Sequence, residues 1–171
     1  MERAWILVGM MGCGKSAVGR GVAQASGRTF IDTDQLMRQR FGRPVAEIFR
    51  IYGEPAYRDH ETDLLRNLEP GDFVLATGGG VVLRDDNWDQ LRRLGVSVYL
   101  KASAEVLAKN LERSRSRRPL LDRPDWREHL GNLLSQRRAA YEKADYTIPV
   151  DSLSIDEAGN QALARFREAE A

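Results

Sequence analysis

Eight consecutive residues, Gly9-Met10-Met11-Gly12-Cys13-Gly14-Lys15-Ser16, satisfy G-x-x-x-x-G-K-[ST] at every fixed position. Those residue types suit a phosphate chain. Glycines let the backbone curl until successive amides point inward, and a helix starting near Lys15 adds its positive end. The Lys15 ammonium can reach the outer phosphates, and the Ser16 hydroxyl can ligate Mg2+. A glycine-rich turn that matches by chance is the competing reading. Against it stand the scarcity of lysine, four against 22 arginines, and the apolar run that leads into the loop. Gly12, Cys13, Gly14, Lys15, Ser16 and Ala17 are the expected nucleotide contacts. Cys13 reads as a small residue filling a tight turn, the alternative being a thiol made alkylatable by the helix terminus.

A phosphate loop names the donor, and other residues must name the acceptor. Asp32-Thr33-Asp34 ends a short apolar run, so its two carboxylates can lean toward one cleft. One can hold Mg2+ through water while the other takes a proton from an attacking hydroxyl. The alternative is a helix cap at Thr33 or Asp34. In Gly53-Glu54-Pro55-Ala56-Tyr57-Arg58-Asp59-His60-Glu61, Pro55 fits a first helical turn and Arg58 shares a face with Glu61. Arg58 is either a bidentate anion clamp oriented by Glu61 or half of a surface ion pair. Gly78-Gly79-Gly80 follow the apolar run FVLAT, where a ligand or a backbone can approach closely; a flexible turn is the plainer reading. Arg117-Arg118-Pro119-Leu120-Leu121 lie in a stretch holding six arginines between 113 and 127. A long polar loop of this kind is either a lid that brings an arginine to a phosphoryl group or a solvated segment. Arg137 and Tyr141, four apart on the next helix, offer a second anion clamp, while His60 and His129 read as solvated helix residues.

Alternating strands and helices must position these residues. Short apolar runs place strands at 4–8, 29–32, 73–77, 96–100 and 145–148. Helical spacing covers 15–26, 34–41, about 53–68, 87–94, 103–113, about 126–143 and a stretch from about 154. The pattern indicates a parallel α/β sheet with helices on both faces, read as one domain over 1–171. The tail beyond 150 carries no motif and reads as a surface helix.

The net charge of +1 excludes a strongly basic nucleic-acid binder by bulk charge. No apolar run is long enough to span a membrane, and the start MERAWILVGMMG lacks signal-peptide features. Cys13 is the only cysteine, so a reducing cytoplasm is expected. With no exposed apolar stripe in the pattern, a monomer is expected.

In their order along the chain, the phosphate loop, D-x-D, GE-x-x-YR-x-x-E, GGG, RPLL and R-x-x-x-Y resemble the shikimate kinase family over about residues 5–148. The resemblance implies a P-loop NTPase fold like that of nucleoside monophosphate kinases, with a five-stranded parallel sheet in order 2-3-1-4-5 and a mobile lid. It implies transfer of the ATP γ-phosphoryl group to the 3-hydroxyl of shikimate in aromatic amino-acid biosynthesis. Lys15, Asp34 and Arg118 would be catalytic, with Asp34 the base and a binder of the substrate hydroxyls. Asp32 and Ser16 would hold Mg2+, and strand 73–77 offers no further aspartate. Arg58 and Arg137 would hold the shikimate carboxylate, and Gly79 and Gly80 would contact the substrate through the backbone. Arg118 would meet the phosphates from a lid at about 112–125, and Arg113, with Arg115 the competitor, would stack on adenine. The substrate-binding segment would be about 33–61, with Phe49 and ring 57 lining the pocket; residue 57 is Tyr here where the family usually has Phe. A kinase of another hydroxy acid such as gluconate, an ATP-binding regulatory module and an arginine-loop nucleic-acid binder are the other readings. The paired clamps favour shikimate, and retention of Lys15, Asp34 and Arg118 weighs against lost chemistry.

Overall fold

The computed structural model describes residues 3–114 and 118–171. Five parallel strands form one sheet in the order β2-β3-β1-β4-β5, as the resemblance implies. They are β1 (Ala4–Val8), β2 (Thr29–Asp32), β3 (Phe73–Ala76), β4 (Gly95–Lys101) and β5 (Tyr146–Pro149). Between and after them run α1 (Lys15–Ser26), α2 (Thr33–Phe41), α3 (Val45–Asn67), α4 (Asp85–Leu94), α5 (Ala104–Arg113), α6 (Trp126–Tyr141) and α7 (Ile155–Glu170). Every residue of β1 and β3 is buried, which is why both read as continuous apolar runs rather than alternating ones. Among the described residues no helix is long and apolar enough to cross a membrane.

Strand register decides where the chemistry can sit. Leu7 of β1 and Asp32 of β2 both pair with Ala76 of β3, so the carboxyl ends of these three strands lie level. The chain leaves that edge at three neighbouring points, into the phosphate loop, into Asp32-Thr33-Asp34 and into the triple glycine. Cross-links tie the exits together. The Thr77 amide and hydroxyl donate to the Leu7 carbonyl at 3.1 and 3.0 Å, and the Gly78 amide donates to Thr33 Oγ1 at 2.8 Å.

Two parts depart from the sequence expectation. The helix expected from about residue 53 begins at Val45 and is two helical stretches joined at Gly53, whose φ of 82° and ψ of 163° are not helical. The missed first half carries a helical stripe of Val45, Ile48, Phe49 and Tyr52, with Pro44 at its cap. The kink lets α3 wrap a small second core of Met37, Ile48, Tyr57 and Leu64. His60 belongs beside it rather than in solvent: it is half-buried and meets Phe41 edge-on at 4.7 Å.

The tail is also more than a surface helix. Ala158, Ala162 and Phe166 of α7 are buried, and Phe166 stacks on Trp5 of the central strand with ring centroids 5.1 Å apart. Arg28 covers that indole at 3.8 Å, and the Trp5 Nε1–H donates to Glu170 at 2.8 Å. Sequence reading looked for a motif there and passed over an amphipathic stripe that closes the core. Ser154 and Glu157 start the helix with a reciprocal capping box. Phe166→Ala is expected to lower the unfolding free energy by about 3–5 kcal/mol, and Ser154→Ala by about 1 kcal/mol, in urea titrations followed by circular dichroism. A loss below that of Ser154→Ala would show that Phe166 is not a core residue.

Candidate active site

The phosphate loop takes its shape from glycines in the left-handed region. Gly14, at φ 97°, caps α1 in a conformation that side-chain-bearing residues resist. Lys15 is buried under the loop, and its Nζ donates to the carbonyls of Gly9 at 2.7 Å and Met10 at 3.1 Å. Its ammonium is thus held at the loop by groups that a phosphate oxygen can replace. Cys13 is buried with Sγ 3.6 Å from Lys15 Nζ, the packing expected of a small residue filling the turn. Asn110 of α5 donates to the Gly12 carbonyl at 2.8 Å and so braces the loop from outside. No motif pointed to Asn110; only the packing of α5 on the loop finds it.

Asp32 serves two neighbours at once. Its Oδ1 caps α2 by accepting from the amides of Asp34 at 2.9 Å and Gln35 at 3.2 Å, and its Oδ2 accepts from Ser16 Oγ at 2.7 Å. The sequence posed capping and cation binding as alternatives and put the cap at Thr33 or Asp34. The cap is Asp32, which leaves an oxygen at Ser16. Hydroxyl and carboxylate oxygens side by side are the hard donors that Mg2+ takes, with phosphates and water completing its shell. Among the described residues no cluster of three or more His, Cys, Asp or Glu could hold a metal ion.

Two cavities open from this edge. The larger, about 250 Å³, is lined by Gly12, Gly14, Lys15, Ser16, Ala17, Asp32, Asp34, Gly79 and Arg118. The smaller, about 60 Å³, is lined by Asp34, Phe49, Tyr57, Arg58, Gly79, Gly80, Arg118 and Arg137, among others. Met11, Asp34, Gly79 and Arg118 line both, so a group reaching from one cavity to the other passes these four.

The smaller cavity is built around buried cations. Arg58 is 9% exposed, with Nη1 donating to Glu61 at 2.9 Å and Nη2 donating to Glu54 at 3.3 Å. Burial works against its charge, but Glu61 and Glu54 outweigh that and hold its pKa above the ordinary value. Burial pushes the Glu61 carboxyl up, with Arg58 opposing. The guanidinium lies against Gly80, where a Cβ would fall 2.2 Å from Arg58 Cζ, so any side chain at residue 80 would push the guanidinium aside. Arg137 is 3% exposed; its Nη1 lies 4.0 Å from Met10 Sδ, and its guanidinium also meets the Tyr141 hydroxyl and, at longer range, faces the Glu61 carboxylate. Among the described residues no carboxylate pairs with it. A buried guanidinium without an anion is costly, and a ligand carboxylate in this cavity would supply the missing charge.

Two contacts escaped the sequence reading. The Tyr57 hydroxyl donates to Asp34 Oδ1 at 3.0 Å. The Tyr141 hydroxyl donates to the Gly79 carbonyl at 2.6 Å, which anchors the glycine run to α6. The sequence marked both tyrosines but not their partners, which lie 23 and 62 residues away. Arg113 ends α5 exposed and lines neither cavity, while Arg115 and Arg117 lie outside the described residues.

Known proteins share this architecture along the whole chain. The shikimate kinase family profile matches residues 11–167. A shikimate kinase from Thermodesulfovibrio yellowstonii is 37% identical over 162 residues, covering 94% of this chain and 93% of its own. The structure of the Acinetobacter baumannii shikimate kinase in complex with shikimate superimposes with a TM-score of 0.92 at 32% identity, covering 98% of this chain and 94% of that one. A gluconokinase from Sinorhizobium meliloti, at 22% identity and a TM-score of 0.55 over 99% of this chain and 94% of its own, shares the fold alone. With two cavities meeting at Asp34 and Arg118 and a family profile spanning nearly every element, the chain belongs to the shikimate kinase family.

Proposed function

We propose that this protein transfers the γ-phosphoryl group of ATP to the 3-hydroxyl of shikimate, giving shikimate 3-phosphate and ADP. The observation that carries the reading is the junction of a phosphate-loop cavity with a cavity holding two buried arginines, at Asp34 and Arg118. An acceptor with one carboxylate and several hydroxyls matches that second cavity. Its carboxylate would lie between Arg58 and Arg137, and its hydroxyls would face Asp34 and the backbone of Gly79 and Gly80.

The roles follow from position. The loop amides of Gly12 to Ala17 and the Lys15 ammonium bind the phosphates. Ser16 and Asp32 would hold Mg2+, which when bound neutralises charge on the β- and γ-phosphates. Asp34 accepts the proton as the 3-hydroxyl oxygen bonds to the γ-phosphorus and the bond to the bridging oxygen breaks, releasing ADP. Lys15 and Arg118 balance the charge on the transferring group. We read 1–171 as one kinase domain, with 33–61 forming the acceptor side and 112–125 a lid that carries Arg118. Arg113, at the end of α5, is the proposed adenine-stacking residue.

A coupled assay for ADP release with shikimate, with gluconate and with no acceptor tests the reading. Turnover is expected with shikimate only; release independent of shikimate, or none, would overturn it. Asp34→Asn is expected to lower kcat at least about 100-fold with the KM for ATP within about threefold of the parent. Arg58→Ala and Gly80→Ala are each expected to raise the KM for shikimate about tenfold or more, because one deletes the guanidinium and the other displaces it. An unchanged acceptor dependence in either would remove Arg58 from the clamp.

A further inference from the structure

We infer that Tyr57 is a positioning residue that tethers one oxygen of Asp34 and so keeps this carboxylate from pairing with the arginines of the acceptor cavity. The inference rests on the function proposed above and extends it to a residue whose hydroxyl has no other role there.

The tyrosine is itself rigidly placed. It is 2% exposed, packed with Met37, Ile48 and Leu64, and its ring lies tilted on Phe49 with centroids 4.7 Å apart. A ring clamped in this way delivers its hydroxyl to one point, and that point is Asp34 Oδ1 at 3.0 Å. Burial, and then the negative charges of Asp34 and Glu61, push the phenol far above its ordinary range. The hydroxyl therefore keeps its proton and serves as a donor wherever the protein works. With Oδ1 engaged, Oδ2 remains to face a substrate hydroxyl.

The need for a tether comes from the surroundings. Asp34 lines a cavity of about 60 Å³ together with Arg58, Arg118 and Arg137. Arg58 is engaged by Glu61 and Glu54, whereas Arg137 has no carboxylate partner among the described residues. A carboxylate free to rotate among guanidiniums gains by pairing with one of them. Such a pair would consume both the hydroxyl acceptor and part of the clamp. A Cβ on Gly78 would lie 2.8 Å from Asp34 Oδ1 and 2.9 Å from Glu61 Oε1, so the glycine leaves room for both carboxylates but gives Asp34 no side chain to hold it. Among the described residues, the tyrosine hydroxyl is the one side-chain group that donates to this carboxylate.

The test is Tyr57→Phe, which removes one oxygen and keeps the ring. With the full-length protein, kcat is expected to fall about tenfold and the Kd for shikimate, measured by titration calorimetry, to rise about threefold. The KM for ATP should stay within about twofold. The second arm repeats the calorimetry in Asp34→Ala and in Asp34→Ala/Tyr57→Phe. With no carboxylate to tether, the two variants are expected to bind shikimate equally. An unchanged kcat in Tyr57→Phe, or the same loss of affinity with and without Asp34, would show that the hydroxyl acts by packing alone and would overturn the inference. If the parent protein turns over no shikimate, the function fails and takes this inference with it; turnover by the parent with an unaffected Tyr57→Phe overturns the inference alone.

Discussion

Parallel register among β1, β2 and β3 is the constraint on which the site depends. Leu7, Asp32 and Ala76 stand level, so three chain segments emerge side by side at one edge of the sheet. A slip of one residue in β2 would move Asp32 off that edge and turn it to the other face of the sheet. The bonds of Asp32 to the Asp34 and Gln35 amides and to Ser16 would be lost in such a slip, and they hold β2 in register. The bonds from Thr77 to Leu7 and from Gly78 to Thr33 extend the same alignment past the last strand residues. The reactive edge is thus an extension of the core rather than an addition to it.

Beyond the strand ends the governing physics is electrostatic. The acceptor cavity concentrates arginines where the surrounding protein supplies only part of the balancing charge. Arg58 has Glu61 and Glu54, and it lies flat against a glycine that leaves it no slack. Arg137 has a thioether and a tyrosine hydroxyl beside it but no ion pair among the described residues. A fully paired set would be comfortable without ligand and would have little reason to bind one. Leaving one guanidinium unmatched makes an anionic acceptor the group that completes the cavity.

Helix α7 shows how far the support for this edge extends. Phe166 stacks on Trp5, and Trp5 belongs to the strand that feeds the phosphate loop. Arg28 lies over the same indole and pairs with Asp72 and Glu170, joining the start of β2, the approach to β3 and the end of the chain. A segment with no chemistry of its own therefore holds the back of the sheet whose front carries all of it.

Much of this was legible in sequence because it is local. The phosphate loop is eight adjacent residues, and Asp34, Arg58, Gly79, Gly80, Arg118 and Arg137, each marked by a short motif, line one pocket, while the strand order is the one the family resemblance implied. Helix 45–52 was legible too, since Val45, Ile48, Phe49 and Tyr52 carry its period, but Gly53 and Pro55 drew attention to the second half alone. Residue types and spacing by themselves determined the nucleotide loop, the fold class and the set of charged side chains, because each follows from periodicity or from backbone geometry over a few residues. Only the tertiary structure decided that Asp32 caps α2 and holds Ser16 together, that Tyr57 reaches Asp34 and that Arg137 lies buried with no ion pair among the described residues. Those facts depend on which atoms meet across distant elements, and burial there sets the cost of leaving a charge or a donor unpaired.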